Sequence, residues 1–144
     1  MELTDCLAFA IAHPVCCLAT EEGDQPRVRA LLMWFADERG FYFATMSPRS
    51  LSLQLHANPK VEICFFGGAR ELRDARMMRV SGEVEFLDDE GLTRRATEER
   101  SALKAIIGEP LQPLTEVFRL RTGRASFWGP GDLLGESPAE PPAL

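Results

Sequence analysis

The alternation of hydrophobic and polar residues predicts a chain built mainly of β-strands. Residues 41–45 alternate aromatic and small side chains, as a half-buried strand does, and residues 61–66 form a second short apolar run. Further strands are predicted at residues 15–20, 26–36, 77–86 and 115–128. The segment 26–36 becomes continuously apolar, which predicts a buried strand, and Gly123 predicts a bend in the last strand.

Two segments outside these strands have helical spacing and clear stop or start signals. One helix is predicted over residues 3–12, before Pro14, and another is predicted to follow Asp88 as its cap and to run to about residue 107. The face predicted to be buried on the first helix consists of Leu3, Leu7, Ala10 and Ile11.

A third helix is predicted between the strands at 41–45 and 61–66. Ser47 is predicted to cap it, with Pro48 at the first helical position, and Asn58 ends it because a proline follows. Its buried face is predicted to contain Leu51 and Leu55.

Short turns between these elements predict a small antiparallel β-barrel of six or seven strands with flanking helices. We predict one domain over residues 1–128. Residues 129–144 hold much of the proline and glycine, so we predict an exposed or flexible C-terminal tail there.

Composition and charge narrow the class of protein. The 144 residues, 45% hydrophobic and 26% charged, are typical of a soluble globular protein. A net charge of −6 disfavours a nucleic-acid or anionic-membrane surface, and no apolar run approaches the roughly 20 residues that span a bilayer. Glu2 and Asp5 stand where a signal peptide is positively charged, and four cysteines without paired spacing favour a reducing compartment. We therefore predict a cytoplasmic protein.

Hydroxyl and guanidinium groups gather where the central helix is predicted to begin. Thr45, Ser47, Arg49 and Ser50 lie where free backbone N–H groups point outward, a combination that suits an anion and above all a phosphate. An ordinary capped surface helix explains the same residues, and spacing alone favours that interpretation.

Other polar residues leave their roles open or argue against a site. Arg27 and Arg29 point to the same side of their strand, and they either form a solvated strand end or converge on an anion. A metal site at His13, Cys16 and Cys17 is disfavoured because adjacent strand residues face opposite sides. The chain has no P-loop, G-x-G-x-x-G or G-x-S-x-G motif, so an enzyme would take its reactivity from a cofactor.

The order of these features resembles the pyridoxamine 5′-phosphate oxidase-like superfamily of FMN-binding split β-barrels. The resemblance rests on the strand 41–45, the Gln54-Leu55 and Asn58-Pro59 pairs of the central helix, QPRVR at 25–29, RVSG at 79–82 and GRASFW at 123–128. It covers nearly the whole chain from residue 7 to residue 128. It implies a six-stranded antiparallel split β-barrel that forms a homodimer, with one FMN at each of two sites along the interface.

The resemblance also implies which residues bind the cofactor. The resemblance implies that the flavin and its phosphate contact Arg27, Val28 and Arg29. The ribityl chain would be lined by Ala44, Thr45 and Met46. The start of the central helix would contribute Ser47, Arg49 and Ser50. Met77 and Met78 would lie near the ring, contributed across the dimer, and Trp128 completes the set. Leu51 stands where the family often has lysine, so one phosphate contact is expected to be missing.

One departure from the family concerns the substrate. Authentic pyridoxamine phosphate oxidases carry a second arginine after the Gly-Arg of the last strand, and it helps to hold the substrate phosphate. Phe127 stands at that place, and an aromatic ring cannot pair with a phosphate dianion. One of Arg70, Arg73 or Arg76 could instead supply the missing charge.

Two functions of different classes follow from the resemblance. The first is an FMN-dependent oxidoreductase that acts on an unknown small substrate other than a vitamin B6 phosphate. The alternative is a non-catalytic protein that binds or senses flavin or haem. Haem would require an axial ligand, for which the available histidines are His13 and His56.

Overall fold

One curled antiparallel sheet with flanking helices dominates the computed structural model, which describes residues 2–68, 70–99 and 114–133. The strands are β1 Val15–Glu22, β2 Gln25–Leu32, β3 Phe35–Asp37, β4 Gly40–Met46, β5 Lys60–Gly67, β6 Arg76–Phe86 and β7 Thr115–Trp128. The helices are α1 Leu3–Ala12, α2 Ser50–Ala57 and α3 Glu90–Glu99, with 3-10 turns at Leu72–Asp74 and Pro130–Leu133. Their order across the sheet is β2-β1-β5-β6-β7-β4-β3, which confirms the predicted mainly β fold.

Strand β2 lies at one edge of the sheet, beside β1, and is largely exposed. Val28 is 70% exposed and Leu32 is 64% exposed, so the prediction of a buried strand over residues 26–36 is wrong. The apolar run is divided instead, because Met33 turns into the core and its N–H donates to Pro14 O at 2.8 Å. The chain then continues as β3, and this division raises the strand count of the described residues to seven.

Strand β4 is buried on both faces, whereas the sequence predicted a half-buried strand. Phe41 and Phe43 point into the main core. On the opposite face, Ala44 packs with Val117 of β7 and Ala96 of α3. The helix therefore covers the face that was expected to meet solvent.

The long strand β7 pairs with β6 over most of its length and carries one irregularity. Glu83 is opposite Thr122 but Val84 is opposite Leu120, so the register slips by one residue at this point rather than at Gly123. Gly123 has another role. A Cβ there would lie 2.2 Å from Ser81 O, so the two strands can approach closely because this residue is glycine.

The helices differ from the predictions mainly at their ends. The buried residues of α1 are Cys6 and Ala10, while Ile11 on its predicted core face is 58% exposed. Helix α3 is capped by Asp89 rather than Asp88, because the Asp89 carboxylate accepts the Leu92 N–H at 3.0 Å. The predictions for residues 100–113 and for the tail beyond residue 133 lie outside the described residues. In the part of the chain that is described, no helix combines the length and the apolar character needed to cross a membrane.

Candidate functional site

A cavity of about 430 Å³ opens beside the end of β4. Its walls are residues 31–34, where β2 passes into β3, and residues 43–46 of β4, with Arg49 and Glu99 completing the lining. The cavity thus gathers four of the predicted cofactor-binding residues, namely Ala44, Thr45, Met46 and Arg49. Most of its lining is apolar, and its charged groups are one guanidinium and one carboxylate.

Arg49 occupies the cap position before α2, where the sequence analysis placed Ser47. The helix starts later because the Arg49 N–H donates to Met46 O at 3.0 Å and closes a turn over the intervening residues. The Ser47 N–H donates instead to Leu114 O at 2.7 Å, and Ser50 becomes the first helical residue. Among the described residues, the Arg49 guanidinium has no hydrogen bond, ion pair or aromatic partner.

Helix α3 fixes the aromatic wall of the cavity through Trp34. The Trp34 indole N–H donates to the Glu99 carboxylate, and the Arg95 guanidinium lies 5.1 Å from the centre of the indole ring. Arg95 also pairs with Glu99 at 3.6 Å. The indole ring is therefore held in place before any ligand is present, which lowers the entropy cost of binding against it.

The predicted residues Arg27 and Arg29 lie outside this cavity, in a polar network that joins β1, β2 and α2. The Arg29 guanidinium donates to Leu18 O at 3.2 Å and Thr20 Oγ1 at 2.8 Å, and it also donates to the Gln54 side-chain oxygen. Arg27 pairs with Glu22 at 3.1 Å.

Two charged groups of this network have shifted pKa values. Burial lowers the pKa of Arg29, and the neighbouring positive charge of Arg27 lowers it further. The pKa of Glu22 is lowered chiefly by the hydrogen bond from Gln54 Nε2, which is 3.1 Å long, and then by its bond to Arg27. Each of these side chains therefore already has a protein partner.

The remaining predicted residues do not come together with the cavity within one chain. Val28 is exposed on the edge strand, and Met78 has no exposed surface at all because it lies in the core. Met77 pairs with Trp128 at one end of β7. The cavity residue Ala44 pairs with Val117, near the other end of the same strand. Trp128 and Val117 are therefore roughly 35 Å apart along β7, at about 3.3 Å per residue.

Phe127 also lies at this far end of β7. Its ring packs edge to face on Phe9 of α1, with the ring centres 5.3 Å apart, and joins the main core.

The two histidines make contacts within the chain. His13 lies against Phe9, with the ring centres 4.7 Å apart. His56 Nε2 lies 3.1 Å from Glu116 Oε1, and the His56 ring stacks on Phe86. No cluster of three potential metal ligands occurs among the described residues.

The second wall of the cavity, residues 31–34, cannot be recognised from the sequence pattern. The apolar run predicts one unbroken strand through these residues, and nothing in it signals the break at Met33. Glu99 carried no signal, because a glutamate on a helix rich in charged residues is ordinary.

Comparisons with known proteins identify the family. The family model described as Pyridoxamine 5′-phosphate oxidase matches residues 4–129. The chain belongs to this family. A curated family member from Pseudomonas paraeruginosa, named pyridoxine/pyridoxamine 5′-phosphate oxidase, is 42% identical over 69 residues, which are 47% of this chain. The match spans 30% of that relative's length.

Solved structures similar to this chain share the split-barrel fold. A NimC/NimA family protein from Clostridium acetobutylicum has a TM-score of 0.75 and 26% identity, with 99% of this chain and 92% of that one covered. An FAD-binding protein from Mesorhizobium loti has a TM-score of 0.70 and 23% identity, covering 88% and 94%. HutZ of Vibrio cholerae, a haem storage protein, has a TM-score of 0.64 and 18% identity, covering 90% and 95%. The family's fold thus occurs in proteins named for flavin and for haem.

Proposed function

We propose that this family member binds FMN and acts as a flavin-dependent oxidoreductase on a small substrate. The observation that carries the proposal is the cavity beside β4, where apolar and aromatic walls meet the unpartnered Arg49 guanidinium. A flat ring with a phosphate at the end of a flexible chain requires this combination of surfaces. The cavity volume of about 430 Å³ also lies within the range of roughly 300–1,000 Å³ that is usual for ligand sites.

The residues around the cavity fit the parts of FMN. Arg49 would hold the phosphate through charge-assisted hydrogen bonds, and Ala44, Thr45 and Met46 would line the ribityl chain. Leu31 and Trp34 would keep water from the ring. When bound, FMN supplies hydride or electron transfer.

We propose an unphosphorylated substrate for this enzyme. Arg124 is followed by Ala125, Ser126, Phe127 and Trp128, so the second phosphate-holding arginine is absent from the sequence. A phosphate dianion placed against the Phe127 ring would lose hydration without gaining a charged partner from that side chain. FMN-loaded protein should therefore form no pyridoxal phosphate from pyridoxamine phosphate in an oxygen-consumption assay. Turnover of about one per second, a rate typical of modest enzymes, would show that the phosphate is held elsewhere.

We also propose that two copies assemble through the outer face of β2, β1 and β5. Val15 is opposite Leu32 in the β1–β2 pair, and the two side chains are 63% and 64% exposed. Phe66, on the same outer face of β5, is 52% exposed. Phe65 and Met33 do not contribute to this surface, because the chain's own core buries them.

Exposed side chains of this size on one face favour a partner surface. Phe66→Glu should convert a sedimenting dimer to a monomer, whereas Leu53→Glu, at a position of similar exposure on α2, should not. A wild-type protein that sediments as a monomer at micromolar concentration would exclude this assembly.

The absorption spectrum tests the function directly. Protein incubated with FMN and then freed of excess ligand should keep a flavin spectrum, and a nicotinamide donor should bleach it if the protein is an enzyme. A retained spectrum that no donor bleaches would indicate a flavin carrier. Parallel titrations with riboflavin and FAD would show whether the phosphate is recognised, and protein that binds no flavin would contradict the proposal.

Haem binding is the alternative, because a haem storage protein shares the fold. The contacts of the two histidines weigh against it. His56 would have to leave both Glu116 and Phe86, and His13 would have to leave Phe9, before either could ligate iron. A Soret band after incubation with hemin, together with no retention of FMN, would favour this alternative.

We propose a cytoplasmic location because of the state of the cysteines. Cys6, Cys16, Cys17 and Cys64 are all free of disulfide bonds, as thiols usually are in a reducing compartment.

A further inference from the structure

Cys17 and Cys64 lie directly opposite each other in the antiparallel pair of β1 and β5. Opposite residues in such a pair have Cα atoms about 4.5 or 5.5 Å apart, depending on the type of pair. Both separations fall within the range of about 4.4–6.8 Å that disulfides span. Because directly opposed side chains lie on one face of a sheet, the Cys17 and Cys64 side chains are cross-strand neighbours.

Within a single chain, the two opposed thiols are also the ones that solvent can reach. Cys17 is exposed and Cys64 is half-buried, whereas Cys6 and Cys16 are buried in the core. Burial raises the pKa of Cys16 to about 12, so its thiolate is scarce at neutral pH.

The surroundings of Cys64 indicate that its thiol reacts after that of Cys17. Burial raises its pKa, and the charge of Cys17 raises it further, while Arg79 across the strand lowers it in part. Cys17 is the more exposed of the two and is therefore the sulfur that an oxidant meets first, and Cys64 is positioned to react with the product.

We propose that Cys17 and Cys64 form a peroxide-responsive dithiol that closes into an intrachain disulfide between β1 and β5. In the first step the Cys17 sulfur attacks one oxygen of hydrogen peroxide. The O–O bond breaks, one water leaves, and Cys17 becomes a sulfenic acid. The Cys64 sulfur then attacks the Cys17 sulfur, so that the S–S bond forms, the S–O bond breaks, and the hydroxyl leaves as a second water with the Cys64 proton. Two thiols are oxidised and one peroxide is reduced.

A disulfide of this kind is expected to be transient in a reducing compartment, where such bonds usually serve as sensors. The pair lies on the same outer face as Phe66, where we propose that a second copy binds. Hydrogen peroxide is the oxidant of choice for the test because it is small enough to reach thiols that a second copy would shield from larger reagents.

The experiment treats the reduced full chain with hydrogen peroxide, removes the oxidant with catalase, and counts free thiols after denaturation. The wild type should lose two of its four thiols and a mass of two hydrogens. Peptide mapping should find Cys17 joined to Cys64, and dithiothreitol should restore both thiols. Cys17→Ser and Cys64→Ser should each form no intrachain disulfide, whereas Cys16→Ala, at the neighbouring buried position, should form it as the wild type does.

Three results would overturn the proposal. They are a wild type that keeps all four thiols, oxidation of Cys17 that stops at a sulfinic acid, and a mapped disulfide that joins two chains or another pair of cysteines. None of these results depends on whether the protein binds flavin.

Discussion

Arg29 and Arg49 flank the same helix, α2, but their guanidinium groups have opposite surroundings. Arg29 donates to a backbone carbonyl on β1, to the Thr20 hydroxyl and to the Gln54 side chain. Arg49 lines an apolar cavity, and its guanidinium has no hydrogen-bond or ion-pair partner among the described residues. The first arginine therefore ties two strands to a helix, and the second remains available to an anion.

An arginine beside a helix therefore does not by itself mark a phosphate site. A guanidinium offers five donors, and its role depends on how many of them the protein already uses. Arg29 already makes three hydrogen bonds to protein atoms, so only its remaining donors could bind a flavin phosphate without breaking contacts within the protein. Arg49 would give up only hydration. The two regions can therefore be separated by experiment, one through stability and the other through affinity.

The largest expected effect is a loss of stability in the network region, the polar network of Thr20, Glu22, Arg27, Arg29 and Gln54. Gln54→Leu removes the oxygen that accepts from Thr20 Oγ1 at 2.6 Å and from Arg29, and it removes the N–H that donates to Glu22. Because a partly buried cation and a buried hydroxyl lose their acceptor, the free energy of unfolding should fall by about 3 kcal/mol. Urea denaturation measures this loss.

Leu53→Gln is the matched control for that variant, because Leu53 lies on the exposed side of the same helix. It should change the free energy of unfolding by less than about 0.5 kcal/mol. If Gln54→Leu were as stable as the wild type, the network would contribute nothing and Arg29 could serve a ligand after all.

The sequence was sufficient to predict elements whose boundaries are set by local chemistry. Asn58 before a proline ends α2 as predicted, and Leu51 and Leu55 are buried on one face of that helix. The core contacts of Phe41 and Phe43 also followed from their alternation.

What the sequence could not supply were properties that depend on distant parts of the chain. The second buried face of β4 exists because α3 folds over it, and the position of β2 at a sheet edge depends on the strand order. The contrast between Arg29 and Arg49 likewise depends on Gln54, which is 25 residues from Arg29 in sequence. Local spacing contains no information about such a partner.

The next largest effect should be a loss of FMN affinity at the cavity beside β4. Arg49→Ala should weaken FMN binding by about 2 kcal/mol, or about thirtyfold, because a charge-assisted hydrogen bond to the phosphate is lost. Riboflavin has no phosphate, so its affinity should stay the same. The free energy of unfolding should change by less than about 0.5 kcal/mol, since the Arg49 guanidinium has no partner to lose among the described residues. Fluorescence titrations with both flavins measure the affinities.

Arg39→Ala serves as the control for Arg49→Ala, because Arg39 is an exposed arginine in the turn at the other end of β4. It should leave both affinities unchanged. Equal losses of FMN and riboflavin affinity in Arg49→Ala would place its guanidinium away from the phosphate, and the contrast with Arg29 would then lose its functional meaning.

The smallest effect should be a change in the acid sensitivity of the network region. The pKa of Glu22 is lowered in the folded protein by its bonds to Gln54 and Arg27, so the carboxylate is more acidic there than in the unfolded chain. A lowered folded pKa contributes stability above the unfolded value of 4.5, and this contribution is lost as the pH falls through the folded value. Glu22→Gln has no carboxylate to titrate, so its melting temperature should fall less steeply than that of the wild type as the pH is lowered from 4.5. Glu21→Gln is the control, because the Glu21 side chain makes no hydrogen bond or ion pair among the described residues, and its melting curve should follow the wild type. If Glu22→Gln kept the full acid sensitivity of the wild type, the proton uptake would lie elsewhere in the molecule, and the network region would owe its stability to Arg29 and Gln54 alone.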